Sequence, residues 1–320
     1  MVGGPPTAPP RVAFVFPGQG SQAVGMGKAF FEASPPARLI FEEADAALGF
    51  SLSRLIFDGP EAELALTANT QPAVLTVSVA AAAACAERGL QPALAAGHSL
   101  GEYSALVVAG ALRFADAVRL VRKRGQFMQE AVPVGEGAMA AVLGLDVDAV
   151  EAVCADAAKG EVVEIANINS PGQTVIAGHR GAVERAVALA ADRGGRKSVL
   201  LPVSAPFHCS LMAPARDRLA RELEAVAVET PRVPVVRNVD GDVTRTEADV
   251  TPFLLRQVTS PVRWTDCVRR LAADGVTDFV EVGPGRVLTA LVKRIVEGAR
   301  TASVEDPAGL EKALAARGQT

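Results

Sequence analysis

Gly97-His98-Ser99-Leu100-Gly101 is the stretch on which the reading of the whole chain turns. It fits G-x-S-x-G, the turn in which a strand passes sharply into a helix with a serine at the apex. The flanks supply the context. Ala93-Leu94-Ala95-Ala96 is an apolar run long enough for a buried strand, and Glu102 to Leu112 is a mostly apolar segment of good helix formers. Gly97 and Gly101 lack a Cβ, so strand and helix can approach closely around the turn. Ser99 then sits in a strained conformation, its hydroxyl exposed beside the free N–H groups of the new helix. Those groups can bind a developing oxyanion. The competing, purely structural reading is a Gly-rich turn with a serine N-cap.

Composition sets the class. A chain of 320 residues buries a large core, as one large domain or as one large and one small. A hydrophobic content of 49% excludes a small disordered protein. The net charge of −4, with no long basic run, argues against nucleic acid as a partner. Cys85, Cys154, Cys209 and Cys267 are far apart and form no C-x-x-C. That pattern reads as a reduced, cytoplasmic chain with no disulfide framework and no metal site. The longest apolar stretch, Pro72 to Ala86, contains Thr76 and Ser78. It is too short to span a membrane and reads as a buried helix. Met1 to Pro10 is rich in Gly and Pro and reads as a flexible tail, not a signal peptide.

Outward from the elbow, the chain alternates strands and helices. Arg11 to Phe16 is a strand that stops at the loop Pro17-Gly18-Gln19-Gly20-Ser21-Gln22, whose G-x-G lacks a P-loop lysine. Helical segments follow at Met26–Ser34, Ala37–Leu48 and Leu52–Phe57, with Pro60 and Asn69-Thr70 as punctuation. Gln71-Pro72 starts the buried helix, with proline in its first turn, and Gly89 ends it. Phe114 to Val132 is a helix carrying the basic cluster Arg119, Arg122, Lys123 and Arg124, any one of which reads first as part of a solvated face. From Gly137 the texture changes. Strands at Ala138–Leu143, Val162–Ile168, Thr174–Ala177 and Lys197–Pro202 enclose helices at Asp146–Ala158 and Gly181–Arg193. The order βαββαβ over about 65 residues is the ferredoxin-like split unit.

Val203 onward returns to the larger unit. A loop at Ser204–His208 leads to a helix capped by Ser210 and running to about Val228. Val233–Val239 is a strand ending in the Asp240-Gly241 turn. Helices follow at Thr251–Gln257 and Trp264–Asp274, then a strand at Thr277–Val282, the turn Gly283-Pro284-Gly285 and a helix at Leu288–Val296. Alternation of this kind means a mostly parallel sheet covered on both faces. The expected fold is α/β: a large α/β-hydrolase-like domain in two parts, 11–133 and 203–297, with an inserted ferredoxin-like domain, 134–202. Flexible tails are expected at 1–10 and 298–320.

A serine hydroxyl is a poor nucleophile until a base takes its proton. The chain has three histidines. His98 adjoins Ser99 and points away from it across the turn, which suits packing or hydrogen bonding. His179 ends a strand of the inserted unit and reads as a surface residue. His208 lies in a loop just before a helix, where the N-terminal field disfavours an imidazolium and keeps a base neutral. By elimination it is the best base. No acid between Ser99 and His208 completes a Ser…Asp/Glu…His order, and hydrolysis by water stays open at this point.

Five motifs occur in order: Phe16-Pro17-Gly18-Gln19-Gly20-Ser21-Gln22, Gly97-His98-Ser99-Leu100-Gly101-Glu102, Arg124-Gly125 before Met128-Gln129, Pro206-Phe207-His208-Cys209, and Glu281-Val282-Gly283-Pro284-Gly285. Together, from about Arg11 to about Val296, they resemble the malonyl-CoA:acyl-carrier-protein transacylase family of fatty-acid and polyketide synthesis. The resemblance implies Ser99 as nucleophile and His208 as general base and then general acid. It implies a backbone carbonyl at Gln257 that orients the imidazole in place of an acid, and the N–H groups of Gln19 and Leu100 as oxyanion hole. Arg124 would pair with the malonyl carboxylate, which the chemistry asks for, since a buried carboxylate is costly unless a planar two-bond partner meets it. Gln71 would line the pocket, and Asn167 and Asn169 would sit where the two domains meet.

One position departs from the fatty-acid enzymes, where serine commonly precedes the base. Phe207 stands there, as in malonyl-selective polyketide acyltransferases, and its ring would crowd an α-methyl group. The implied partners are malonyl-CoA and the phosphopantetheine arm of an acyl carrier protein, with no cofactor, acting on a monomer. The alternatives are an acyl hydrolase that clears carrier proteins and a non-catalytic docking module.

Overall fold

Strand β1 (Val12–Phe16) is apolar and buried at every position, as befits a strand in the middle of a sheet covered on both faces. Val12, Phe14 and Phe16 face one core, whereas Ala13 and Val15 face another. This computed structural model describes residues 11–203 and 205–318; the expected N-terminal tail and Ser204 of the expected loop lie outside the described residues.

With β1 run β2 (Leu94–Gly97), β3 (Gly137–Leu143), β4 (Val163–Ser170), β5 (Gln173–His179), β6 (Lys197–Leu200), β7 (Val235–Val236), β8 (Val243–Thr244), β9 (Asp278–Val282) and β10 (Arg300–Val304). The six-stranded sheet has the order β10-β9-β1-β2-β7-β8. It is parallel except for β8, which returns from the Asp240-Gly241 turn antiparallel to β7. The second sheet, β4-β5-β3-β6, is antiparallel throughout, and it carries the ferredoxin-like order expected from the sequence. Its helices, Val147–Ala158 and Arg180–Asp192, share a separate small core with it. Its other face, including Met139, Ala166, Val175 and Ala177, joins the main core. The small sheet is tied to the larger unit at Asn167–Val262, in the loop before the helix Trp264–Ala273, where the Ile168 N–H donates to the Val262 carbonyl and the Val262 N–H to the Ala166 carbonyl.

Several expectations are corrected. The buried helix starts at Thr67, not at Gln71-Pro72, so Pro72 lies inside it. Asn69 and Thr70, read as punctuation, are helical because their side chains turn back to bond the Glu63 and Leu64 carbonyls. Ser210 caps no helix: its N–H and hydroxyl both donate to Glu164 on β4, and a short 3-10 turn precedes the helix Ala213–Leu223. The strand expected over 233–239 shrinks to β7. The segment from 298, expected as a flexible tail, supplies β10 and the helix Pro307–Gly318. β10 pairs in parallel with β9, and Arg300 bonds Asp278 across the pair. A half-exposed edge strand and a helix that, among the described residues, buries Leu310 and Ala313 leave little periodic signal in a sequence.

Candidate active site

The elbow forms because its glycines cannot be anything else. A Cβ on Gly97 would lie 1.9 Å from the Gly101 carbonyl carbon, and one on Gly101 would lie 2.0 Å from the Phe16 oxygen. β2, the helix Leu100–Val108 and the end of β1 therefore meet at backbone contact. Ser99 takes φ 51°, ψ −103°, a strained geometry for a side-chain-bearing residue. Its side chain makes no N-cap bond, so the purely structural reading of the serine does not hold. The hydroxyl is instead 2.7 Å from His208 Nε2.

Asn238 holds this strained turn. Its Oδ1 accepts the Ser99 N–H at 2.7 Å and its Nδ2 donates to the Gly97 carbonyl at 2.7 Å, so one fully buried amide straddles the elbow. From the sequence, Asn238 reads only as part of the expected strand before the Asp240-Gly241 turn.

His208 is buried and also at positive φ, 60°. Its Nδ1 is 2.9 Å from the Gln257 carbonyl. A carbonyl can only accept, so Nδ1 carries the proton and Nε2 presents its lone pair to the Ser99 hydroxyl. Burial, then the nearby Arg124 charge, push the imidazole down to about 3, against the opposing pull of the Gln257 carbonyl. The neutral form is thus held chiefly by burial and by Arg124. The helix N-terminus invoked from the sequence is remote, since a 3-10 turn intervenes.

The basic cluster separates cleanly. Arg119 bonds Asp116 and the Ala47 carbonyl, Arg122 stacks on Phe50 and bonds Asn69, and Lys123 pairs with Glu222 near the surface. Arg124 alone turns inward and is 1% exposed. Its Nη1 donates to Gln71 Oε1 at 2.8 Å; its Nη2 donates to Ser99 Oγ at 3.1 Å and to Gln257 Oε1 at 3.0 Å. Its Nε has no hydrogen-bond partner among the described residues. The Tyr103 ring lies under the guanidinium, 5.4 Å from its carbon. Burial lowers the Arg124 pKa, while Tyr103 and Glu102 oppose that shift. A guanidinium beside a serine hydroxyl, with donors to spare, has the chemistry to receive an anion.

Ser99, His208, Arg124, Gln71 and Gln257 are therefore one hydrogen-bonded cluster. Gly18 packs on the His98 carbonyl, which sets Gln19 against the elbow, and the Gln19 side chain bonds Thr67. Leu100 is the first residue of the elbow helix, and Phe207 is buried next to His208. His98 bonds Asn169 at 2.9 Å and packs on Trp264, joining the two sheets as a hydrogen-bonding residue. His179 is half-buried, and its Nδ1 accepts the Val162 N–H. Two residues had no role in the sequence reading and stand inside this cluster: Asn238 and Glu102. Glu102 is 3% exposed, accepting from Gln257 Nε2 at 2.7 Å and from the Asn238 N–H at 3.1 Å. Burial pushes its carboxyl up to about 7, against those bonds and the Arg124 charge. A lone carboxylate in an apolar helix was the signal that could have found it.

The family described as acyl transferase domain matches residues 13–315. The chain belongs to this acyl transferase family. Among similar proteins, the malonyl CoA-acyl carrier protein transacylase of Escherichia coli strain K12 is 52% identical over 95% of this chain and 99% of its own. That of Bacillus subtilis strain 168 is 50% identical over 95% and 96%. Among solved structures, an acyl carrier protein S-malonyltransferase from Vibrio cholerae superposes with a TM-score of 0.93 at 50% identity, covering 94% of this chain and 99% of that one. A type II PKS acyl-carrier protein in complex with its malonyl-transacylase matches at TM-score 0.93 and 47% identity, covering 96% and 99%. The acyl transferase described here thus shares both its sheets with these relatives.

Proposed function

We propose that this acyl transferase moves a malonyl group from malonyl-CoA to the phosphopantetheine thiol of an acyl carrier protein, through an ester on Ser99. The observation that carries the reading is the buried Arg124 guanidinium 3.1 Å from Ser99 Oγ, which sets a carboxylate site next to the nucleophile. The activities named for the relatives agree with it.

In the first half-reaction His208 Nε2 takes the hydroxyl proton as Ser99 Oγ attacks the thioester carbonyl carbon. The carbonyl oxygen becomes an oxyanion, received by the N–H groups of Gln19 and Leu100. The C–S bond then breaks, and the His208 proton goes to the departing coenzyme A sulfur. In the second half-reaction the carrier thiol loses its proton to His208, its sulfur attacks the ester carbon, and Ser99 Oγ leaves with that proton. The Gln257 carbonyl keeps the imidazole in the required tautomer through both halves, as a carboxylate does in a serine triad. Arg124 pairs with the free malonyl carboxylate, Gln71 braces Arg124, and Phe207 restricts the α-carbon. In this reading 134–202 acts as a distinct small domain over the larger one, the chain works as a monomer in the cytoplasm, and the reaction needs no cofactor.

Intact-mass spectrometry tests the proposal. Mixing with malonyl-CoA should add one malonyl group to the wild-type chain, and phosphopantetheinylated carrier protein should remove it and gain the same mass. Loss of the label to water at the same rate with and without carrier would instead support a hydrolase.

A further inference from the structure

Glu102 is one residue past the second elbow glycine, fully inside the protein, and the roles proposed above leave it unused. Burying a carboxylate is costly unless its lone pairs are engaged. Here one oxygen, Oε2, is engaged twice, by Gln257 Nε2 at 2.7 Å and by the Asn238 N–H at 3.1 Å.

Gln257 is the residue through which this contact reaches the chemistry. Its backbone carbonyl accepts from His208, and its side-chain Oε1 accepts from Arg124 at 3.0 Å. The two ends of an amide are nearly the same shape, so neighbours decide which end points where. On one side of the Gln257 amide is a guanidinium, which only donates. On the other are the Ser99 carbonyl at 3.0 Å and the Glu102 carboxylate at 2.7 Å, which accept. Asn238 Oδ1 stands on the same side at 3.4 Å. The reverse orientation would set an NH2 group against Arg124 and an oxygen against three oxygens. Of the three acceptors that prevent it, Glu102 makes the shortest bond.

We infer that Glu102 is a positioning residue for substrate selection: its Oε2 holds the Gln257 amide so that Gln257 Oε1 steadies the Arg124 guanidinium beside Ser99. The inference rests on the reading of Arg124 as the malonyl carboxylate partner. It makes a specific demand. What matters at position 102 is an acceptor at the place of Oε2, and not a negative charge.

Two conservative variants separate these. Glu102→Gln can keep an oxygen at the same place, whereas Glu102→Asp keeps the charge but falls one methylene short. The measurement is kcat/KM for malonyl-CoA and for acetyl-CoA, which lacks the free carboxylate, in both variants and in Arg124→Ala. Thermal unfolding is followed alongside. Glu102→Gln should keep the malonyl-to-acetyl preference within about threefold of wild type. Glu102→Asp should lower that preference about tenfold or more, through malonyl transfer, because a hydrogen bond to a buried charged group is lost. The inference is overturned if Glu102→Gln loses the preference and Glu102→Asp keeps it, or if Glu102→Asp lowers both substrates equally, which is the mark of general damage. Arg124→Ala distinguishes the two levels. An unchanged preference there removes the carboxylate reading itself. A collapsed preference there, with Glu102→Asp behaving as wild type, overturns only the role of Glu102.

Discussion

Replacing Arg124 by alanine should separate malonyl from acetyl transfer more sharply than any other single change. In the proposed acylation complex the malonyl carboxylate meets a guanidinium that is 1% exposed and already held by Gln71 and Gln257. Truncating one partner of a buried charge pair costs about 3–5 kcal/mol, because the other charge is left uncompensated. Malonyl transfer should therefore fall by roughly two to four orders of magnitude in kcat/KM. Acetyl-CoA strands no charge. Moreover, the Arg124 charge is one of the two main causes that hold His208 down at about 3, so its removal raises the His208 pKa and strengthens the base. Acetyl transfer should hold or rise. The acid limb of its pH profile should move to higher pH, since the catalytic form is the neutral imidazole. Arg124→Lys should recover only part of the malonyl rate, because an ammonium cannot form two parallel bonds to a carboxylate. The assay is kcat/KM for both substrates across pH in wild type and both variants. Equal depression of the two substrates would refute the reasoning and leave Arg124 a structural residue.

Ser99→Ala should abolish covalent labelling by malonyl-CoA with the unfolding temperature kept, and peptide mapping should find the wild-type label on Ser99; label on another residue ends the serine-ester reading. Phe207→Ser should raise the use of methylmalonyl-CoA relative to malonyl-CoA in a competition assay, on the scale of about 1–3 kcal/mol for one methyl group; an unchanged ratio removes the ring from selectivity. Burial holds the Glu102 carboxyl at about 7, above its ordinary value of 4.5. The folded state therefore favours the protonated form, and this contribution to stability is complete below about pH 4.5 and lost as pH rises through about 7. Glu102→Gln has no such loss, so its unfolding temperature should gain on wild type between about pH 4.5 and 8; a difference that is flat or falls with pH contradicts the burial argument.

Much of the architecture was legible in order along the chain. β1 and β2 are short apolar runs bounded by turn residues, β9 carries two acids yet runs straight into the turn Gly283-Pro284-Gly285, and the βαββαβ segment shows its period and its turns within 137–200. These are local signals, because a strand buried on both faces must be apolar throughout and a tight turn must carry glycine. The stretch from 298 was not legible, since an edge strand with a half-wet helix is specified by the surface it docks on. The start of the long helix was hidden because Asn69 and Thr70 satisfy upstream carbonyls, a choice their side chains make only once the preceding turn is in place.

The site divides in the same way. Sequence by itself singled out Ser99 as the candidate nucleophile, because G-x-S-x-G is a backbone requirement: Gly97 and Gly101 have no room for a Cβ. With three histidines in the chain it also narrowed the candidate bases to His208. Periodicity did not tell the four neighbouring basic residues apart, and the resemblance alone pointed to Arg124; the physical difference lies in the way the helix Phe114–Glu130 faces its neighbours, which buries Arg124 and leaves Arg119, Arg122 and Lys123 toward solvent. Tertiary structure alone decided that Asn238 clasps the elbow and that Glu102 and Gln257 support Arg124. The bonds Glu102 makes to Asn238 and Gln257 span 136 and 155 positions along the chain. Hydrogen bonds between residues so far apart leave no periodicity to read, and they exist only where folding brings two helices and a hairpin turn to the same buried point.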